Sequence, residues 1–226
     1  MNITDELTPL KSAINKRLQA LQQRVFYFMF GNREFKPILA HAFCSRIVRI
    51  QGNNPVKRAD FARMFPSYCY KVIFPQSASF KEIISSDPID IIVHKACQAT
   101  LETFAEDTSL DVEGALDMGA YIKHSWHRLS EYTNKKASWS VLMAQRVNND
   151  VYVYKGEISG TIVSPRGIGQ GFMPYFQPYG SNKTLAEDPS NDTFSARARA
   201  VEAFCKSKPF KVREPILSWE GKYQKD

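Results

Sequence analysis

The chain has 226 residues, 43% of them apolar and 12% aromatic, and its 30 Lys and Arg against 23 Asp and Glu give a net charge of +7. This composition excludes disordered and fibrous proteins, and a chain of this length can bury a core without disulfide or metal support. The longest apolar runs, such as residues 25–30, are far shorter than the ~20 residues that cross a bilayer, and the N-terminus lacks an apolar signal-peptide core. We therefore predict a cytoplasmic protein with no membrane segment.

The positive charge is concentrated at the front of the chain. Residues 1–86 carry a net charge of +8, whereas residues 87–226 carry −1. Lys and Arg donate charge-assisted hydrogen bonds to the phosphates of nucleotides and of nucleic acids. A solvated basic surface has the same composition, so charge alone leaves these interpretations open.

The first predicted elements are a helix, a strand and a second helix. Apolar residues recur every three or four positions over residues 7–25, which predicts an additional amphipathic helix within residues 1–24. Residues 25–30 form a continuous apolar run of strand length, and Gly31-Asn32 separates this run from the helix-like residues 33–42. Because a glycine turn before a helix leaves backbone N–H groups available, we predict that this turn binds phosphate.

The middle of the chain contains the most distinctive polar cluster. Two strand-like segments, residues 46–50 and 68–74, precede Asp87-Pro88, which predicts the start of a helix that continues to residue 104. Glu106-Asp107-Thr108-Ser109 follows. Carboxylate and hydroxyl oxygens suit Mg²⁺ shared with substrate phosphates, although an acidic pair taken alone more often forms a solvated turn.

Strands dominate the prediction for the rest of the chain. Residues 138–147 and 151–154 flank Asn148-Asn149-Asp150, which favours a β-hairpin. A further strand is predicted at residues 157–163, then a Gly, Pro and aromatic loop over residues 168–180. The last helix spans residues 195–204, with Ser195 as its N-cap.

Taken together, several of these segments resemble the inosine triphosphate pyrophosphatase family. In family order they are Glu106-Asp-Thr-Ser-Leu110, Gly119-Ala-Tyr-Ile-Lys123, Tyr154-Lys-Gly-Glu-Ile-Ser-Gly-Thr-Ile-Val-Ser-Pro-Arg-Gly167, Gly171-Phe-Met-Pro-Tyr-Phe-Gln-Pro-Tyr-Gly180, Lys183-Thr-Leu-Ala-Glu187 and Ser195-Ala-Arg197. The similarity is dense from residue 87 to residue 204, about half of the chain. Nearer the N-terminus, residues 28–39 resemble the family's strand, Thr-Gly-Asn loop and helix.

The resemblance implies both a fold and an activity. The fold is an α/β fold in which a mixed twisted sheet is flanked by helices, with two lobes and a nucleotide cleft between them. Residues 25–213 would form this domain, 45–86 being a divergent, insertion-like segment and 214–226 a C-terminal tail. The activity is Mg²⁺-dependent hydrolysis of ITP, XTP, dITP or related triphosphates to monophosphate and pyrophosphate, in a homodimer. The alternative is a catalytically impaired relative that binds nucleotides or RNA.

The resemblance also assigns residues to roles. Asp107 would hold the metal and activate water, with Glu106 beside it as a second catalytic carboxylate and Glu82 as a second metal ligand. The positions that would contact substrate are Gly31, Asn32, Lys36, Lys95, Thr108, Lys123, Gly171, Phe172, Ser195 and Arg197. The family's base-recognition loop, Phe-Gly-Trp/Tyr-Asp-Pro, reads Gln170-Gly-Phe-Met-Pro174 in this chain. Because an aromatic ring and a carboxylate are lost there, we predict altered base selectivity.

Overall fold

The computed structural model describes residues 46–76, 79–116 and 118–224. The elements discussed below belong to one compact unit, which comprises Arg46–Pro66 and the chain from Tyr70 onwards. The predicted helix within residues 1–24, the strand at 25–30 and the Gly31-Asn32 turn with its following helix lie outside the described residues. Within the described ranges, no helix is both long and apolar enough to cross a membrane.

Strands and helices alternate in the first half of the described chain, and an antiparallel meander follows. The described strands, β1 to β7, are Arg46–Ile50, Tyr70–Ile73, Thr103–Val112, Lys136–Val147, Asp150–Ile162, Phe176–Pro178 and Lys211–Arg213. The described α-helices, α1 to α4, are Pro55–Met64, Pro88–Gln98, Ile122–Ser125 and Ala196–Cys205. Short 3₁₀ helices span Trp126–Tyr132 and Asp192–Phe194.

In the described part of the chain, all seven strands belong to one mixed sheet. The strand order is β2-β1-β3-β4-β5-β6, and β7 pairs with β5 beyond the end of β6. β1 is parallel to both β2 and β3, whereas β3, β4, β5 and β6 are antiparallel to their neighbours. This mixed sheet with flanking helices confirms the predicted α/β class. β1 pairs only with Thr103 and Phe104 at the start of β3, so the acidic pair that follows is held by β4 and lies beyond the end of β1.

Both helix starts predicted from sequence are confirmed. The Asp87 side chain accepts a hydrogen bond from the Ile89 N–H at 2.8 Å, and the Ser195 hydroxyl accepts one from the Ala198 N–H at 3.2 Å. The prediction that the first of these helices reaches residue 104 is wrong, because α2 ends at Gln98. Residues Thr103 and Phe104 instead open β3, where they pair with β1 and satisfy the preference of branched and aromatic side chains for strands.

The segment 45–86 contains the two predicted strands and one helix that the sequence analysis did not predict. β1 matches the predicted strand at 46–50, and β2 lies within the predicted segment 68–74. Between them, α1 begins with Asn54 as its N-cap and Pro55 in its first turn. Phe61 is the one buried residue of α1. The helix therefore lacks the repeat of apolar residues every three or four positions by which a helix is predicted from sequence.

An aromatic cluster holds α1 and α4 against the sheet. The rings of Phe65 and Phe204 lie 5.9 Å apart in an edge-on arrangement, which joins the end of α1 to α4. Phe204 also contacts Phe104 of β3 at 5.0 Å and Tyr154 of β5 at 5.3 Å. Such edge-to-face pairs add to the free energy gained by burying the rings. The cluster therefore sets the positions of the two helices that carry cationic side chains into the site described below.

The predicted hairpin is confirmed as β4 and β5, which meet at a turn where Asn148 has a φ of +56°. The two separate strands predicted at 151–154 and 157–163 form one continuous strand, because Gly156 does not interrupt the pairing. Gly156 instead allows α4 to approach the sheet closely. A Cβ atom at this position would lie 1.9 Å from the Ala196 carbonyl oxygen and 2.5 Å from the Ala200 nitrogen.

Replacing Gly156 by Ala is expected to destabilise the protein. Both clashing atoms belong to the backbone of α4, so the helix must move away from β5, and overpacking of this kind costs about 3 kcal/mol. Urea unfolding would measure the loss. The control is Gly52→Ala, since a Cβ at Gly52 meets no atom within 4 Å. A Gly156→Ala variant as stable as this control would contradict the close approach.

Candidate active site

A cleft of about 310 Å³ lies where α1, β3 and the start of α4 meet. Its volume is at the lower end of the ~300–1,000 Å³ that small-molecule sites occupy. One part of its wall is rich in charged side chains from these elements and from α3. The other part is largely apolar and is formed by residues 170–173 and 185–194 together with β4. The two parts suit a ligand with a highly charged end and a planar apolar end.

Glu106 is the buried centre of the charged part. Only 4% of its side chain is exposed, and Lys57 Nζ lies 2.6 Å from its Oε2. Its Oε1 accepts hydrogen bonds from Arg197 Nη2 at 3.2 Å and from the Thr108 hydroxyl at 2.8 Å. Burial by itself raises the pKa of Glu106, but Lys57 and Arg197 outweigh burial and bring the pKa to about 2. Both oxygens are thus occupied, and Glu106 acts as the counter-ion of two cations.

Asp107 faces a second cationic centre. Lys95 Nζ lies 2.9 Å from Asp107 Oδ1 and 2.9 Å from Glu82 Oε1, so one ammonium bridges the two carboxylates. Lys123 contacts the other oxygen of Glu82. Burial raises the pKa of Asp107, and Lys95 only partly offsets this effect. Burial lowers the pKa of Lys95, whereas the carboxylates of Asp107 and Glu82 raise it. The carboxylates have the larger effect together, so the pKa of Lys95 is raised.

One salt bridge connects α1 to α4, and a second connects α1 to the segment before α4. Asp60 Oδ2 accepts from Arg197 Nη1 at 2.7 Å, and the other oxygen of Asp60 lies 3.2 Å from Arg63 Nη2. Arg63 also contacts Asp192, in the segment that leads into α4. Arg197 thereby joins Asp60 to Glu106, and its side chain is only 9% exposed. This network fixes the guanidinium of Arg197 at the edge of the cleft.

The start of α1 forms a further wall of the cleft. Asn54 accepts hydrogen bonds from the Val56 N–H at 2.9 Å and the Lys57 N–H at 3.2 Å, and it lines the cleft. The Gly52 carbonyl accepts from Arg58 Nε at 2.7 Å, which fixes the turn between β1 and α1. A strand, a Gly-Asn turn and a capped helix therefore deliver Lys57 to the cleft.

The apolar part of the cleft is built from aromatic rings and methionines. Trp139 of β4 and Phe172 pack edge to face with ring centres 5.9 Å apart, and both line the cleft. Met64, Trp126, Met173, Leu185 and Phe194 complete this part of the wall. Flat aromatic faces of this kind bind nucleobases by stacking.

The structure brings together most of the residues that the sequence analysis selected and that it describes. Seven of them belong to two charged groups: Glu82, Lys95, Asp107 and Lys123 in one, and Glu106, Thr108 and Arg197 in the other. Those that line the cleft without joining either group are Gly171, Phe172 and Ser195. Gly31, Asn32 and Lys36 lie outside the described residues.

Four residues that line the cleft were not predicted from the sequence: Asn54, Lys57, Asp60 and Trp139. A usable signal was present for the first two, because Gly52-Asn53-Asn54-Pro55 follows a predicted strand and resembles the pattern at Gly31-Asn32. No local pattern marks Asp60 or Trp139. Both reach the cleft only because α1 and β4 are placed beside it by the sheet.

The donor set of the charged part fits Mg²⁺. No three His, Cys, Asp or Glu side chains converge as a ligand group within residues 46–76, 79–116 and 118–224. Mg²⁺ does not need such a group, since it is usually held by one or two carboxylates, water and substrate phosphates. Asp107 and Glu82 provide two carboxylates that already share one cationic atom, the ammonium nitrogen of Lys95.

This chain is similar to several known proteins. The dITP/XTP pyrophosphatase of Hyperthermus butylicus is 29% identical over 180 residues, which cover 72% of this chain and 94% of that protein. The dITP/XTP pyrophosphatase of Korarchaeum cryptofilum is 31% identical over 106 residues, 42% of this chain and 58% of that protein. The solved structure of the Staphylococcus aureus Ham1 protein has a TM-score of 0.54 at 23% identity and covers 72% of this chain and 100% of that chain.

A sequence model of the Ham1 family matches residues 48–207. The match includes β1, α1 and β2 from the segment that the sequence analysis interpreted as insertion-like, and it excludes Gly31, Asn32 and Lys36. The family resemblance predicted from the sequence is confirmed. Because the match covers most of its length, the chain belongs to the Ham1 family.

Proposed function

We propose that this protein is a Mg²⁺-dependent nucleoside triphosphate pyrophosphohydrolase. The observation that carries the proposal is Asp107, which lines one cleft together with the cations Lys57, Lys123 and Arg197. Lys95 joins this carboxylate to that of Glu82 by two salt bridges. A triphosphate is a polyanion whose hydrolysis develops further negative charge on the leaving group, which preorganised cations stabilise. The names of the two curated relatives, both dITP/XTP pyrophosphatases, support the same activity.

In the proposed reaction, water attacks the α-phosphorus and the bond from this phosphorus to the α,β-bridging oxygen breaks. The products are a nucleoside monophosphate and pyrophosphate, and the proton of the attacking water passes to Asp107. Burial raises the pKa of Asp107, which makes its carboxylate a stronger base than an exposed aspartate. Lys95 donates a hydrogen bond to Oδ1 of Asp107, which leaves Oδ2 to accept the proton of the water.

Two sets of groups bind the triphosphate in this proposal. Gly52 to Lys57 form the phosphate-binding turn, because Asn54 caps α1 and both Asn54 and Lys57 line the cleft. Arg197 and Lys123 neutralise the remaining phosphate charge from the other walls. Asp107 and Glu82 would hold Mg²⁺, which when bound polarises the phosphoryl oxygens and lowers the pKa of coordinated water.

The test is product analysis with a panel of ITP, XTP, dITP, GTP, UTP, ATP and CTP. We expect pyrophosphate, detected as orthophosphate only after inorganic pyrophosphatase is added, from at least one substrate in the presence of Mg²⁺. EDTA should abolish the release. Orthophosphate formed without the added pyrophosphatase, or no product from any triphosphate, would contradict the proposal.

The alternative of an impaired relative that binds nucleotides or RNA receives less support. The carboxylates and cations form two groups of salt bridges, whereas loss of activity would be expected to accompany loss of such contacts. A homodimer and a cytoplasmic location stay predictions of the sequence analysis.

A further inference from the structure

One carboxylate of the cleft is not paired with a cation. Asp60 and Asp107 each form salt bridges, with Arg197 and Lys95 respectively. Asp188 also lines the cleft, and its Oδ2 accepts a hydrogen bond from the Asn191 side chain at 3.2 Å. Among the described residues no Lys, Arg or His forms a salt bridge with Asp188. A cleft for a polyanion gains nothing from a bare carboxylate unless that carboxylate binds a donor on the ligand.

Asp188 belongs to the apolar part of the cleft. The Ala186 N–H donates to the Met173 carbonyl at 3.2 Å, so the segment that carries Asp188 lies alongside residues 170–173. A Cβ at Gly169 would be 2.8 Å from the Ala186 Cβ, which shows how closely the two segments pack. Trp139 and Phe172 line the same part of the cleft. If the phosphates bind to the cations of the proposed function, the base must lie in this apolar part.

A carboxylate at this place discriminates between bases by hydrogen-bond chemistry. Ionised Asp accepts hydrogen bonds and cannot donate them. The lactam bases hypoxanthine, xanthine, guanine and uracil carry a ring N–H that can donate to Asp188. Adenine and cytosine present a ring-nitrogen lone pair at the equivalent position, which a carboxylate repels. Met173, where the resemblance would place a carboxylate, offers no such acceptor.

We propose that Asp188, oriented by Asn191, is a specificity-determining residue that accepts the ring N–H of a lactam base. The inference rests on the proposed function and deepens it by assigning the choice of lactam bases over adenine and cytosine to one side chain of this protein. Asn191 orients the carboxylate by donating to one of its oxygens, which leaves the other oxygen for the base.

The experiment compares kcat/KM for ITP and ATP in the wild type, Asp188→Asn and Glu187→Gln. We expect the wild type to prefer ITP at least tenfold. Asp188→Asn should reduce the ITP to ATP ratio about 10- to 100-fold, because a charged hydrogen bond to the lactam is lost and the amide can donate to adenine. Glu187→Gln is the matched control: it removes the neighbouring charge, which pairs with Arg166 outside the cleft lining, and should leave the ratio unchanged.

Binding measurements separate failure of this inference from failure of the proposed function. Calorimetry with α,β-imido analogues of ITP and ATP, in which the oxygen of the bond to be broken is replaced, would give the ratio of the two affinities even for a protein that hydrolyses neither triphosphate. A wild type that hydrolyses ITP while Asp188→Asn changes the ratio less than twofold would overturn the role of Asp188 alone. Equal binding of both analogues by the wild type, or no binding of either, would also overturn it.

Discussion

Asp107→Asn is expected to lower the rate of pyrophosphate release by about 10²- to 10⁴-fold, the usual contribution of a general base. The amide keeps the size of the side chain but cannot take the proton from the attacking water. It also removes one of the two charges that would hold Mg²⁺. The measurement is kcat/KM with the best triphosphate of the panel, at saturating Mg²⁺.

The control for this substitution is Asp111→Asn on the same strand. Asp111 is absent from the lining of the cleft, so its replacement should change kcat/KM less than twofold. Circular dichroism would confirm that both variants keep the fold. An Asp107→Asn enzyme with activity within tenfold of the wild type would refute the assignment of Asp107 as the base.

Glu106→Gln is expected to lower the free energy of unfolding by about 3 kcal/mol or more. Glu106 is the shared anion of Lys57 and Arg197, and breaking a buried ion pair leaves an uncompensated charge whose cost is about 3–5 kcal/mol. Urea unfolding at pH 7 measures the difference. The control is Glu202→Gln, whose exposed pair with Lys206 should leave the free energy of unfolding nearly unchanged, because solvent screens it.

The same substitution should change how stability depends on pH. The pKa of Glu106 falls from 4.5 to about 2 on folding, so its stabilisation is complete above about pH 4.5 and is lost as the pH falls towards 2. The wild type should therefore lose stability over this window more steeply than Glu106→Gln. Parallel pH profiles would show that Glu106 is not held ionised by its two cationic neighbours.

Two Gly-Asn turns in this chain illustrate the limits of local patterns. Gly31-Asn32 follows the most apolar run of the N-terminal part, which is why the sequence analysis placed the phosphate loop there. Gly52-Asn53 follows a shorter strand with two arginines and precedes a helix without an apolar stripe. The family match begins at Val48, and Lys57 from the second turn is the one that the structure places in the cleft. Local hydrophobicity favoured the first pattern, whereas the contact of Lys57 with Glu106, 49 residues away in the chain, links the second pattern to the site.

Glu106 and Asp107 show the same limit for a strand. Taken alone, an acidic pair after a helix favours a solvated turn, and the helix was expected to reach residue 104. The pair instead lies in the middle of β3, where Asp107 pairs in register with Leu142. An internal strand can hold adjacent carboxylates only because α1, α2 and α4 bring cations to them, and those helices are remote in sequence.

Much of this protein follows from short-range information. Helix caps at Asp87 and Ser195, the Asn148 hairpin and the mixed α/β class are encoded in neighbouring residues, since capping and turn formation depend on contacts a few positions apart. The order of motifs along the chain was also sufficient to identify the family. Which charges pair was decided by the tertiary structure alone. Glu106 with Arg197, Asp107 with Lys95 and the unpaired Asp188 depend on how the sheet places distant elements, because Coulomb interactions depend on distance in space and not on separation along the chain.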